Sequence, residues 1–147
     1  MLDFEYFRTR VQPILLHKRP TLARCNVCHS QGTPLVIRTL SPGRDTWTEE
    51  ESRKNFEVIR RVVVPGDPRA SRLLMMPLAA EAGGIAFHPG GKHWASQDDP
   101  EWRTLADWVR GAKEGSRSPA RASITRRRYG FRRLRLRYCL IGVYLGQ

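Results

Sequence analysis

Several features of common protein classes are missing from this 147-residue sequence. It contains only three cysteines, which are too few for the disulfide framework of a small secreted domain. No apolar run approaches the roughly 20 residues that a membrane-spanning helix needs. No internal repeat is present, and no alternation of apolar and polar residues before the C-terminal segment predicts a strand. These absences exclude a disulfide scaffold and a membrane span, and they favour a helical domain.

Acidic residues are missing from the last part of the chain. Residues 116–147 contain nine arginines and no aspartate or glutamate. The net charge of +12 therefore belongs mostly to this segment, because residues 1–115 hold 17 basic and 14 acidic residues. We divide the chain into a globular domain, residues 1–115, and a basic tail, residues 116–147, which we expect to be disordered. A shifted reading frame in GC-rich DNA would also produce a tail of this composition.

Signals for the beginning or end of a helix mark four segments of the domain: residues 3–15, 48–63, 67–77 and 99–111. Pro13 is expected to kink or interrupt the first of these helices. Thr48 and Glu51 form the pattern of a capping box. Residues 79–98 are rich in glycine and predict a long loop, which is unusual in a compact domain unless it is functional. The pattern predicts an all-α fold of three or four short helices joined by long loops.

The motif with the clearest chemistry is Cys25-Asn26-Val27-Cys28-His29, which has the C-x-x-C-H pattern of covalent haem attachment. On a helical turn, positions i, i+3 and i+4 share one face. Cys25 and Cys28 can then bind the two vinyl groups of one haem, and His29 can bind the iron. We expect one haem c, held by Cys25 and Cys28, with His29 as the proximal iron ligand.

Zinc binding is the alternative interpretation of the same motif. A structural zinc site needs two further cysteine or histidine ligands at a recognisable spacing. The available histidines are His17, His88 and His93, and there is no second C-x-x-C pair. A thioredoxin-like role is less well supported, because the βαβ pattern that accompanies such a motif is missing.

The order of the motifs resembles that of small cytochrome c domains of planctomycete and acidobacterial type. The similarity covers residues 3 to about 112 and departs from the family in the tail. It implies a cytochrome c-like fold around one covalently bound haem, with the first and last helices packed across each other. The matching elements are Val11-Gln12-Pro13-Ile14-Leu15, the cysteine motif at 25–29, Gly66-Asp67-Pro68-Arg69-Ala70-Ser71-Arg72-Leu73-Leu74, His88-Pro89-Gly90-Gly91, and Leu105-Ala106-Asp107-Trp108-Val109-Arg110-Gly111.

Three residues are candidates for the second iron ligand. His88 lies where the family has its ligand loop, and the glycines after it allow the backbone to approach closely. His93 lies five residues later in the same loop. Met76, followed by Pro77, has the Met-Pro pattern of many cytochromes. We expect His88 to be the distal ligand, with His93 and Met76 as the alternatives.

Three functional classes fit parts of the sequence. We expect an electron-transfer protein, without enzymatic activity, that works with redox partner proteins. A zinc-binding or nucleic-acid-binding protein is the alternative, because aromatic residues alternate with arginines in the tail. A haem peroxidase would need a vacant iron position, which the surplus of distal ligands disfavours. Haem attachment of this type takes place outside the cytoplasm, so we expect a periplasmic or exported protein, although residues 1–15 have no pattern of an export signal.

Overall fold

The computed structural model describes residues 1–115 of the chain. The predicted tail, residues 116–147, lies outside the described residues. Five helices, α1 to α5, follow one another along the chain. Helix α1 covers residues 4–16 as three consecutive segments, Phe4–Tyr6, a π-helical Phe7–Val11 and Gln12–Leu16. The others are α2 (Cys25–Cys28), α3 (Glu49–Ile59), α4 (Arg72–Met75) and α5 (Pro100–Val109), with short 3₁₀ turns at Arg60–Val62 and Ala80–Ala82.

Residues 1–115 contain no β-strand. Two isolated bridges, between Val64 and Asp67 and between Leu78 and Trp94, are the β-type pairings within this range. The predicted all-α class is therefore confirmed, with five helices rather than three or four. No helix within the described range is long and apolar enough to cross a membrane.

Pro13 does not break helix α1. The turn before it widens, and the backbone N–H of Gln12 donates to the carbonyl of Phe7, five residues back. Proline has no N–H to donate, and its ring collides with the carbonyl four residues earlier in a regular α-helix. A π-turn placed just before the proline accommodates both effects, so the helix continues to Leu16 instead of ending.

The caps of α3 and α5 agree with the sequence patterns. At the start of α3, Thr48 Oγ1 accepts a hydrogen bond from Glu51 N at 3.2 Å, and Glu51 Oε2 accepts one from Thr48 N at 2.8 Å. At the start of α5, Asp99 Oδ1 accepts from Glu101 N at 2.8 Å. Gly111 ends α5 with a φ of 99°, a left-handed conformation that glycine adopts without steric cost.

Helix α4 begins later than Asp67-Pro68 suggests. Asp67 Oδ1 accepts hydrogen bonds from the backbone of Arg69 and Ala70, as a cap would. These bonds close a turn rather than a helix, and α4 starts only after Ser71. The Ser71 hydroxyl group donates to Asp67 O at 2.7 Å and accepts from Val64 N at 2.9 Å, which fixes the turn against the segment before it.

The core lies between α1, α3 and α5. Phe7 is fully buried, and its ring contacts Phe56 of α3 and Trp108 of α5 at centroid distances of 5.4 and 5.5 Å. The Trp108 indole N–H donates to Asp3 O at 2.9 Å, which ties the start of the first helix to the end of the last. The same core continues into α4 and the loops through the buried side chains of Leu74, Leu78 and Trp94.

Candidate functional site

The two cysteines and the histidine of the C-x-x-C-H motif lie on a single helical turn. Helix α2 runs from Cys25 to Cys28, and His29 is its C-cap residue, whose N–H donates to Cys25 O at 2.9 Å. Both thiols are free. Cys25 is half-buried and Cys28 is exposed, so one thiol lies against the protein while the other remains open to solvent. The spacing thus places all three groups together, as predicted from the helical periodicity.

The two thiols differ in their surroundings. Burial raises the pKa of the Cys25 thiol, and the nearby positive charge of Arg19 only partly opposes this effect. Cys25 is therefore a protonated, weakly reactive thiol at neutral pH in the absence of a bonding partner.

The ring of His29 is fixed by its Nδ1 atom. Nδ1 lies 3.0 Å from Leu35 O and 3.2 Å from Thr33 Oγ1. A carbonyl oxygen only accepts hydrogen bonds, so the Leu35 contact assigns the proton to Nδ1. The Nε2 atom then keeps its lone pair, and no hydrogen bond to it is formed within residues 1–115. This is the arrangement of a metal-binding histidine whose second nitrogen is held by a backbone carbonyl.

His88 has the same hydrogen-bonding arrangement on another part of the chain. Its Nδ1 lies 2.6 Å from Gly91 O, and Gly91 N donates back to His88 O at 2.9 Å. Gly91 has a φ of 82°, and a Cβ atom there would lie 2.8 Å from a methyl carbon of Leu22. Both the left-handed φ of Gly91 and its closeness to Leu22 favour glycine at the turn that orients His88.

The rings of His29 and His88 lie near each other and are nearly parallel. Their centroids are 6.3 Å apart, and their planes are within 17° of parallel. A bond between a metal ion and an imidazole nitrogen is about 2.0–2.1 Å long, and the ring centre lies about 1 Å further on. Two imidazoles on opposite sides of one ion therefore have centres about 6 Å apart. The separation between His29 and His88 has this value, and so does the 6.2 Å separation between His88 and His93, so the distance fits two imidazoles on one ion but does not by itself select the pair.

His93 differs from His88 in how its nitrogen atoms are used. Its Nδ1 accepts a hydrogen bond from the Arg19 guanidinium at 3.2 Å, which occupies the lone pair that a metal would need. Burial and the charge of Arg19 lower the pKa of His93 to about 4, so the ring is neutral at neutral pH. Its ring contacts the ring of His88 at a centroid distance of 6.2 Å. His93 therefore lies beside His88 and supports it.

Met76 is the half-buried C-cap residue of α4, and its neighbour Met75 is part of the hydrophobic core. The carbonyl of Met76 accepts a hydrogen bond from Lys92 Nζ at 2.9 Å, and Lys92 Nζ also donates to Ile85 O. Lys92 thus closes the base of the loop that carries His88. This loop is folded back on itself by further backbone bonds, such as Ile85 N to Met75 O at 2.8 Å.

A buried ion pair next to the site has no counterpart in the sequence patterns. Arg19 is only 8% exposed and donates a hydrogen bond to Glu101 of α5. Burial alone would raise the pKa of Glu101, but hydrogen bonds with His17, Arg19 and Trp94 hold that pKa below its usual value. The two residues are 82 positions apart, so no local spacing could have predicted their contact.

Exposed apolar side chains lie near His29 and His88 in sequence. Val27 is inside the C-x-x-C-H motif, Val36 follows the carbonyl that holds His29, and Phe87 precedes His88. They are 60%, 47% and 73% exposed, respectively.

Within residues 1–115, no three histidine, cysteine, aspartate or glutamate side chains are grouped closely enough to hold a metal ion by themselves. Comparison with protein-family models, with curated proteins and with solved structures finds no match to this chain.

Proposed function

We propose that this chain is a small c-type cytochrome that transfers electrons through one covalently attached haem. The observation that carries the proposal is the proximity of the His29 and His88 rings, whose centroids are 6.3 Å apart, with His29 directly following the two cysteines. Each of the two histidines has its Nδ1 proton engaged by a backbone carbonyl, which leaves Nε2 available to iron.

The residues present fit a haem better than a bare metal ion. Cys25 and Cys28 would hold the porphyrin through two thioethers, each formed when a thiol adds its S–H across a vinyl double bond. The apolar side chains of Val27, Val36 and Phe87 would pack against the porphyrin edge. The iron would supply a one-electron change between its ferric and ferrous states. His29 and His88 would bind it from opposite sides, and filling both positions suits electron transfer rather than enzymatic turnover.

Zinc binding remains the alternative, either alone or in a nucleic-acid-binding protein with a basic tail. Tetrahedral zinc takes four ligands from one cluster, commonly with two cysteine thiolates. The two cysteines followed directly by His29, with the nearly parallel ring of His88 6.3 Å away, would instead suit a haem held by two thioethers and two histidines.

The compartment and partners follow from the proposed cofactor. Thioether attachment of haem takes place outside the cytoplasm in bacteria with proteins of this type, so we place the protein in the periplasm or another exported location. Its partners would be redox proteins. A His/His pair gives iron a lower reduction potential than a His/Met pair, because thioether sulfur favours the ferrous state.

The test is covalent attachment itself. The chain is expressed behind an export signal in a cell that has haem-attachment machinery, and the protein is separated on a denaturing gel and stained for haem. The wild type should stain. The double variant Cys25→Ala and Cys28→Ala should not, whereas Cys139→Ala, which removes the third cysteine, should stain like the wild type. A double variant that keeps its stain, or a wild type that never stains, overturns the proposal.

A further inference from the structure

Arg19 is a buried cation at the meeting point of three parts of the chain. It lies in the segment between α1 and α2, and its side chain is 9% exposed. Nη1 donates to Nδ1 of His93 in the loop that carries His88, at 3.2 Å. Nη2 donates to the carboxylate of Glu101 on α5. The guanidinium also lies over the Trp94 ring, 5.7 Å from its centroid.

The other contacts of this cluster strengthen the same connection. The Trp94 indole N–H donates to Glu101 Oε2 at 3.2 Å, so that the carboxylate binds the loop and Arg19 together. The backbone of His93 and Trp94 is bonded to Pro77 O and Ala79 N, which anchors the end of the loop to its beginning. Leu22, three residues after Arg19, contacts the turn at Gly91. The segment before the cysteine motif therefore holds the His88 loop at two points.

A buried ion pair of this kind is a poor source of stability, because removing two charges from water cancels most of their attraction. Its arrangement is better explained by what it fixes. By donating to His93 Nδ1, Arg19 sets the orientation of the ring on which the ring of His88 rests. A metal ligand generally depends on such outer contacts for its orientation.

We propose that Arg19 is a positioning residue that keeps His88 on the haem iron. The inference rests on the proposed function and extends it. Arg19 itself binds no iron. Together with Glu101 it holds His93 and Trp94 against the body of the domain, and His93 in turn supports His88. When Arg19 is lost, the loop loses this support and His88 leaves the iron more often.

The experiment compares haem-loaded variants by spectroscopy. Arg19→Gln should raise the fraction of high-spin, carbon monoxide-binding iron severalfold, which is less than the roughly ten- to hundredfold effect of removing a direct partner of a metal ligand, because Arg19 acts through His93. Arg19→Lys should restore most of the low-spin spectrum, because it keeps a donor beside Glu101. The matched control is Arg103→Gln, which removes an exposed pair between α5 and Asp98 at the very end of the loop but none of the contacts of Arg19 with His93, Trp94 and Glu101. It should behave like the wild type.

A second variant covers the case in which Arg19→Gln does not fold because it leaves the Glu101 carboxylate unpaired. The double variant Arg19→Gln and Glu101→Gln removes both charges, so that no unpaired charge is buried. It should fold and show the same gain in high-spin iron as Arg19→Gln. A fully low-spin spectrum without carbon monoxide binding in these variants overturns the inference and leaves the proposed function standing.

A wild type without haem stain overturns the proposed function instead, and the inference is then decided on the haem-free chain. Amide hydrogen exchange at His93 and Trp94 should be faster in Arg19→Gln than in the wild type and unchanged in Arg103→Gln. Equal exchange rates in all three proteins would show that Arg19 does not hold the loop.

Discussion

His88 and His93 lie in the same loop, residues 79–98, and differ in their hydrogen-bonding partners. His88 donates from Nδ1 to a carbonyl and keeps a lone pair on Nε2. The Nδ1 atom of His93 instead accepts a hydrogen bond from Arg19, which occupies its lone pair. A metal ion needs a lone pair. The proposed iron can therefore bind His88 without breaking an existing hydrogen bond, whereas binding to Nδ1 of His93 would displace a buried guanidinium.

This difference predicts opposite spectra for two alanine variants of the haem-loaded protein. His88→Ala should turn the ferric iron from low-spin to high-spin or five-coordinate, because it removes the distal ligand. His93→Ala should leave most of the iron low-spin. The wild type should also lack the weak absorption band at about 695 nm that marks a bond between methionine and iron. A change of spin state in His93→Ala alone would move the ligand to His93, and a wild-type band near 695 nm would move it to Met76.

Glu101 provides a prediction about pH. Hydrogen bonds with His17, Arg19 and Trp94 keep its pKa below the ordinary value despite burial. A carboxylate with a lowered pKa in the folded state stabilises the fold above its unfolded pKa of about 4.3, and this contribution is lost as the pH falls through the folded-state pKa. Glu101→Gln should therefore be less stable than the wild type at pH 7, by about 2 kcal/mol, since the side chain of Glu101 is one-quarter exposed.

The measurement is thermal or denaturant unfolding across pH 3–7, with the result expressed as the difference between wild type and variant. This difference should shrink below about pH 4.3, where the unfolded chain takes up protons. Glu50→Gln is the control, because the pKa of Glu50 is also lowered, by Lys54, but on the exposed face of α3. Its unfolding should be close to that of the wild type at every pH. A difference for Glu101→Gln that stays constant with pH would contradict the assignment.

At the level of whole elements, the sequence predicts those features that depend on neighbouring residues. The caps at Thr48 and Asp99 and the turn at Gly111 follow from residues within one helical turn, and all three are present. Asp67 also caps as its position suggests. It does not start a helix, because Ser71 bonds back to Val64 and Asp67 and keeps the intervening residues in a turn.

The candidate site, too, was predictable only where its residues are neighbours in the sequence. The single turn at Cys25–Cys28 is local and was predictable, and so was the presence of a histidine-bearing loop. The carbonyl of Leu35 as the partner of His29 and the contact between Arg19 and Glu101 were not, because they depend on how distant segments pack. The π-turn before Pro13 was missed for another reason: a proline predicts the loss of one hydrogen bond but not how the helix adjusts to it.

The capping box of α3 gives a prediction at this scale. Thr48→Ala removes the acceptor for Glu51 N and should lower the free energy of unfolding by about 1 kcal/mol. Thr104→Ala in α5 is the matched control, because its exposed hydroxyl group donates only to the carbonyl of Pro100 within a helix that is already capped. Denaturant unfolding should show a shift for Thr48→Ala and little change for Thr104→Ala. Equal shifts would mean that the cap contributes nothing beyond an ordinary threonine side chain.

At the scale of the molecule, the described residues share one hydrophobic core, to which the loops contribute as well as the helices. The aromatic cluster of α1, α3 and α5 is joined by buried loop residues such as Leu78 and Trp94. The segments that carry the cysteines and His88 are held in addition by hydrogen bonds and by the Arg19–Glu101 pair. A haem bonded to both segments would tie them to each other. The proposed cofactor is therefore also expected to stabilise the part of the domain that binds it.

The division of the chain at residue 115 gives the last prediction. Helix α5 ends at Val109, and the contacts close to the basic tail include those of Glu114 with Thr9 and Arg10 on α1. A chain ending at Gly115 keeps these contacts and the whole described core, while it loses nine arginines that repel one another. Its melting temperature and its absorption spectrum should therefore equal those of the full chain, whereas its binding to an anionic resin should weaken. A chain ending at Trp108 is the positive control, since it lacks the buried Val109 and the Gly111 cap and should melt at a clearly lower temperature. If the chain ending at Gly115 were destabilised as strongly as the one ending at Trp108, residues 116–147 would be part of the folded domain.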